Sequence, residues 1–205
     1  MSEKLVIIDG AVDTAVIAEY EATRRDAVRR GIVLGGAVIA ATAIPTLLRV
    51  RTAFAQSDGD AAILEAAVGL EHTAVVAYDA AVGSGLLDAT VKPVAELFRY
   101  QEQEHVDGLR TALDALGGMA PAPPKPAEVM GLSDLKSQAD VANFAIELEN
   151  MAVAAYYDAH GKLKDPKLLA TGAQIMANEG QHLAVLRPLV NQPPVPDAFE
   201  TGGQA

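Results

Sequence analysis

One helical pattern occurs twice in this 205-residue chain, and the duplication limits the fold more than any other feature. The stretch Leu70-Glu71-His72-Thr73-Ala74-Val75-Val76-Ala77-Tyr78 aligns with Leu148-Glu149-Asn150-Met151-Ala152-Val153-Ala154-Ala155-Tyr156 at an offset of 78, sharing Leu, Glu, Ala, Val, Ala and Tyr. Further on, Glu102–Arg110 aligns with Glu179–Arg187 at an offset of 77, sharing Glu, His, Leu and Arg. With almost no alternating strand pattern after Gln56, this reads as two copies of one helical hairpin. Each copy carries a lone Glu on its first helix and a Glu-x-x-His on its second.

The spacing places these residues in the core. Apolar residues at intervals of three and four mark the buried stripe of a helix in a bundle. In the first helix the stripe is Leu64, Val68, Glu71, Val75, Tyr78, Val82, and in the third it is Ala142, Ile146, Glu149, Val153, Tyr156, His160. In the second it is Phe98, Glu102, His105, Leu109, Ala112, Leu116, and in the fourth Ile175, Glu179, His182, Leu186, Leu189. All four stripes are thus interrupted near the middle by carboxylates or imidazoles. A buried ionised carboxylate costs several kcal/mol unless it is paired or metal-bound, and four in one small core are prohibitive alone. Two divalent metal ions neutralise four glutamates, and two neutral imidazoles complete the coordination. Glu and His at i and i+3 reach toward one point between helices, and a Glu from the opposite hairpin can bridge two ions. Oxygen and imidazole donors weakly favour iron or manganese over zinc or copper.

In these residues the chain resembles the ferritin-like di-metal carboxylate proteins, in particular exported bacterial ferritin-like domains. The resemblance covers about residues 60–190. It implies an all-α, ferritin-like four-helix bundle with a long crossover between the second and third helices. It also implies the metal ligands Glu71, Glu102, His105, Glu149, Glu179 and His182. By the family pattern Glu71 and Glu149 are terminal ligands, Glu102 and Glu179 the bridging pair, and each His binds one ion.

Helix limits follow from breakers and caps. The first helix should cover about Asp60–Val82, stopped by Gly83-Ser84-Gly85. The second should run from Thr90, as N-cap, to Leu116 before Gly117-Gly118, with Pro93 tolerated in the first turn. Met119–Ser137 is too rich in proline to be helix throughout. The third should cover Gln138–His160, with Gly161 just past its end. The fourth should start after Asp165-Pro166 and run to Arg187, and residues 191–205 should be irregular.

Neighbouring polar residues have plainer roles. Glu147 lies about 200° from Glu149 around the helix and is the weaker candidate. Glu65 and Glu104 read as surface charges, and Met151 and Met176 as packing residues. His72 points about 100° away from Glu71 and reads as a surface or interface residue. His160 suits the negative end of a helix dipole without any metal. Tyr78 and Tyr156 lie two turns beyond Glu71 and Glu149. They read as core tyrosines with hydroxyls that have found partners, or as hydrogen-bond or electron donors to the centre.

Composition removes other classes of function. There are no cysteines, which excludes disulfides, thiolate zinc sites, iron–sulfur clusters, cysteine nucleophiles and a rubredoxin-like electron-carrying module. A net charge of −11 argues against a partner that is nucleic acid. The basic residues of Thr23–Gly31 instead precede the uncharged run Ile32–Leu48, and Ala53-Phe54-Ala55 follows as a small-x-small cleavage pattern. That order reads as an export signal. Arg24-Arg25 resembles the twin-arginine element, with Ala27 and Val28 where Phe and Leu are usual, and implies the twin-arginine machinery as a partner. The domains expected are therefore residues 1–55, the export signal with an N-terminal extension, and 56–190, the bundle. An uncleaved signal would anchor the protein in the membrane, and a buried helix of the domain is the plain alternative. In Met1–Ala22, Ala15, Val12 and Val16 could line a short helix.

The function expected is that of an exported, periplasmic di-iron protein acting on dioxygen or hydrogen peroxide as ferroxidase or peroxidase. Manganese catalase-like peroxide disproportionation and a non-catalytic metal-binding envelope stress protein are the alternatives. Homo-oligomerisation is left open.

Overall fold

The computed structural model describes residues 7–8, 11–12 and 59–202, which fall in two units divided after Thr42. In the first unit β1 (Ile7–Ile8) pairs antiparallel with β2 (Ala11–Val12), in the register Ile7 to Val12 and Ile8 to Ala11. Val12 is therefore extended, not part of a short helix. The other residues of the expected export signal lie outside the described residues.

The second unit is a four-helix bundle of α1 (Asp60–Gly83), α2 (Lys92–Ala115), α3 (Gln138–His160) and α4 (Pro166–Leu186). A 3-10 turn at Arg187–Val190 extends α4. Between α2 and α3 the crossover holds two 3-10 turns, Pro126–Glu128 and Leu132–Asp134, as its prolines require.

The helix starts have identifiable chemistry. Ser137 Oγ accepts from Asp140 N, and Asp165 accepts from Lys167 N with Pro166 at the first helical position. At α2 the expected cap is wrong. Thr90 lies in a turn, and Asp88 Oδ1 accepts from Thr90 N and Val91 N at 2.8 and 2.9 Å and from the Thr90 hydroxyl. Two free N–H groups ahead of the helix are satisfied by the carboxylate, which a threonine hydroxyl at position 90 could not reach together. Asp88 also exchanges two hydrogen bonds with the Gln138 amide, tying the α1–α2 turn to the start of α3. Asp60 does the same at another corner, accepting from Lys164 N and Asp165 N.

Hairpin α1–α2 packs on hairpin α3–α4, chiefly through α1 against α3. One apolar cluster holds Ile63, Leu64, Val68, Leu109, Leu113 and Leu148, and a second holds Tyr78, Phe98, Ile146, Val153, Leu183 and Leu186. On α1, α2 and α4 the polar positions fall between members of the first and second clusters, whereas on α3 Ile146 and Val153 of the second cluster flank Glu149. The expected stripe holds except on α2, where Val106 and Leu113 are fully buried and Leu116 is 46% exposed. An α-helix drifts about 20° per heptad from a strict seven-residue repeat, so the last member of that stripe rotates out, and α2 itself ends at Ala115.

Candidate metal centre

All six residues singled out in the sequence meet in the middle of the bundle, one or two from each helix. They form two groups, Glu71, Glu102, His105 with Glu179, and Glu102, Glu149, Glu179 with His182. Within each group one potential ligand atom per residue lies within 4.8 Å of every other. Glu102 and Glu179 belong to both.

The atoms divide evenly. His105 Nδ1 is 3.1 Å from Glu179 Oε1 and 3.4 Å from both Glu102 Oε2 and Glu71 Oε2. His182 Nδ1 is 3.0 Å from Glu179 Oε2, 3.2 Å from Glu102 Oε1 and 3.3 Å from Glu149 Oε1. Each shared glutamate therefore turns one oxygen toward each half. The repeat explains the arrangement, because equivalent positions on two hairpins packed face to face are related by a pseudo-twofold axis.

All four glutamates are at most 1% exposed. Burial, and then for Glu149 the charges of Glu179 and Glu102, pushes the carboxyls of Glu71 and Glu149 well up. Burial also pulls the His182 imidazole down, but Glu102, Glu149 and Glu179 outweigh it and push it up to about 12. Burial raises the Glu179 carboxyl in turn, yet the two histidines hold it down at about 2. These shifts describe a cluster of negative charge seeking cations.

Protein groups alone leave that demand unmet. Glu102 Oε1, both oxygens of Glu179 and His182 Nδ1 are buried without a properly directed hydrogen bond. Nδ1 sits near three oxygens at once but can carry one proton directed at one of them. Lone pairs converging from carboxylates and imidazoles suit a metal ion, and two ions neutralise the four glutamates. The residues present thus fit a di-metal centre.

Both tyrosines act across the bundle. The Tyr78 hydroxyl on α1 donates to Glu149 Oε1 on α3, and the Tyr156 hydroxyl on α3 donates to Glu71 Oε1 on α1. Burial and the nearby carboxylates raise both phenols, so they remain donors at neutral pH. Each fixes one carboxylate's orientation.

The other candidates fall outside the cluster. Glu65, Glu104 and Glu147 are exposed, and Met151 and Met176 pack against the core. His160 donates from Nδ1 to Tyr156 O one turn back. His72, expected at the surface or an interface, is 8% exposed beneath the crossover, with the Pro121 carbonyl as hydrogen-bond partner. The crossover folds over α1 there, with Pro121 Cγ 3.7 Å from where a Cβ on Gly69 would stand. Desolvation, then the Arg110 charge, lowers the His72 pKa and favours a neutral ring.

Two residues beyond the six support His182, Gln101 and the stripe residue Phe98. His182 Nε2 is 2.9 Å from Gln101 Oε1, and the Phe98 ring stacks on the imidazole with centroids 3.9 Å apart. No aspartate in the sequence stands out as a partner for the non-ligating nitrogens of His105 and His182. The available signal was an amide directly before each Glu-x-x-His, Gln101 and Asn178.

Comparison with known proteins agrees with this architecture. The family model described as ferritin-like domain matches residues 59–192. A crystal structure of a conserved hypothetical protein from Mycobacterium tuberculosis, rv2844, superposes with a TM-score of 0.56 at 19% identity. That match covers 75% of this chain and 99% of the other, and at such identity it speaks for the fold alone. No curated protein matches the sequence significantly. The match over 59–192 takes in all four helices and all six residues of the cluster, and the chain belongs to the ferritin-like domain family.

Proposed function

We propose that the cluster binds two divalent metal ions, iron in the first instance, and that the protein is an exported oxidase or peroxidase acting on dioxygen or hydrogen peroxide. One observation carries the reading: two four-residue ligand groups share Glu102 and Glu179, and three of the four oxygens of that pair are buried without a directed hydrogen bond. Glu71, Glu102, His105 and Glu179 would hold one ion and Glu102, Glu149, Glu179 and His182 the other, with Glu102 and Glu179 common to both. When bound, the ions supply the one-electron redox chemistry such substrates need.

The protein's own contribution is orientation and exclusion of water. Tyr78 and Tyr156 hold Glu149 and Glu71 in place across the bundle, so ligands from both hairpins keep their geometry when a substrate arrives. The apolar clusters around the centre keep it dry. The greater exposure of His105, 12% against 1% for His182, supports entry of small molecules from its side.

Anaerobic Fe²⁺ loading followed by air or peroxide tests the activity. Rapid oxidation with turnover is expected, and an oxygen-inert complex would make the protein a metal-binding module instead. Metal analysis of protein from its native location identifies the ion; stoichiometric manganese with catalase activity would replace iron in the reading. For export, Arg24→Lys with Arg25→Lys preserves charge but should retain the protein in the cytoplasm, and undiminished export would refute the twin-arginine route.

A further inference from the structure

The two halves of the centre are related by the repeat but are not equally built. His182 is closed in on its far side. Its Nε2 meets Gln101 Oε1 at 2.9 Å from the other hairpin, and Phe98 lies against its face with the rings 28° from parallel. A neutral imidazole has one N–H and one lone pair. Giving Nε2–H to the Gln101 carbonyl oxygen leaves the Nδ1 lone pair aimed at Glu102, Glu149 and Glu179.

His105 faces the same kind of carboxylate trio through Nδ1, yet among the described residues no hydrogen bond holds its Nε2. The residue equivalent to Gln101 at the offset of 77 is Asn178, one methylene shorter, and the equivalent of Phe98 is Ile175, which has no ring to stack. The unsupported histidine is also the more exposed of the two. With Nε2 unheld and more of the ring exposed, its tautomer and orientation are less constrained than those of His182.

We infer that Gln101 is a positioning residue that fixes His182 for metal binding and makes the His182 half of the centre the tighter of two unequal metal positions. The inference rests on the two-metal reading above. Partners of this kind alter metal affinity by about 10–100-fold when removed.

Mn²⁺ titration of the full-length, metal-free protein, with free Mn²⁺ read by electron paramagnetic resonance, separates the possibilities. Wild type should take up two ions per chain in two steps differing by about tenfold or more. Gln101→Ala should weaken the tighter step by about 10–100-fold and leave the other within about twofold. Gln101→Glu, which keeps an oxygen acceptor for Nε2–H, should restore the tighter step, whereas Gln101→Met, similar in size but without a strong acceptor, should not, and rescue by Met would reduce Gln101 to a packing role and overturn the inference. Asn178→Ala should change neither step, whereas Asn178→Gln supplies the missing methylene and should tighten the weaker one. An unchanged tighter step in Gln101→Ala, equal weakening of both steps, or an equal effect of Asn178→Ala would overturn the inference. Should Gln101→Ala fail to fold, Asn178→Gln decides, and an unaltered weaker step overturns the inference. Wild type that binds fewer than two Mn²⁺ would instead overturn the two-metal reading itself.

Discussion

Removing metal should reverse how the protein's stability depends on pH. In the metal-free fold the carboxyls of Glu71 and Glu149 sit well above their ordinary value, chiefly through burial. A carboxyl raised on folding stabilises the fold at low pH, and that stability is lost as pH rises toward the raised pKa. His182, raised to about 12, acts in the same direction, because stability present below the unfolded value of 6.5 fades as pH rises through the folded one. Glu179, held at about 2, matters only below the unfolded value of 4.5, outside this window. Metal-free stability should therefore fall from pH 5.5 to 8. Each proton bound by the folded but not the unfolded chain contributes a slope of about 1.4 kcal/mol per pH unit. Even one such proton shifts Tm by about 4 °C per unit for a domain of this size. The loaded protein should do the opposite, since acid competes with metal for the same Glu and His atoms. Paired melts with metal and with chelator at half-unit steps give the comparison. The surface carboxylates of this acidic chain contribute alike to both series, so the difference between them isolates the centre. Parallel curves would refute the buried-cluster reasoning, and Glu149→Gln should flatten the chelated series if it is right.

Other perturbations address single parts. Tyr78→Phe and Tyr156→Phe each remove a donor to a buried carboxylate and should cost about 1.5–3 kcal/mol in denaturant melts; similar values for the two are expected from the crossed pairing. His105→Ala and His182→Ala should keep their helices by circular dichroism but lose about one metal ion each by elemental analysis. His72→Ala should cost stability, because His72 is buried, while retaining full metal. Gly202→Ala should release the C-terminal segment, since φ is +68° and a Cβ would stand 2.0 Å from Asn150 O. Faster cleavage beyond Asn191 by a protease of low specificity is the readout, as Glu200 would no longer be held on the Arg187 side chain at 2.8 Å.

The repeat and the three-and-four spacing were enough to select Glu71, Glu102, His105, Glu149, Glu179 and His182, because a helix's period dictates which side chains share a face. Local chemistry likewise set the starts of α3 and α4, where Ser137, Asp165 and Pro166 act within a few residues of themselves. Periodicity gave less where the outcome depended on another segment. Tyr78 lies about 10 Å along its helix from Glu71, at 1.5 Å rise per residue. Its hydroxyl therefore finds Glu149 instead, and only the packing of α1 on α3 reveals that pairing. His72 looked like a surface residue because helix phase says nothing of where a proline-rich crossover will lie, and that crossover is what buries it. The unequal support of two equivalent histidines is finer still. Gln101 and Asn178 are both amides in the same register, and whether a side chain reaches across to the opposite hairpin is decided by a single methylene and the distance between packed helices, which no one-dimensional pattern contains.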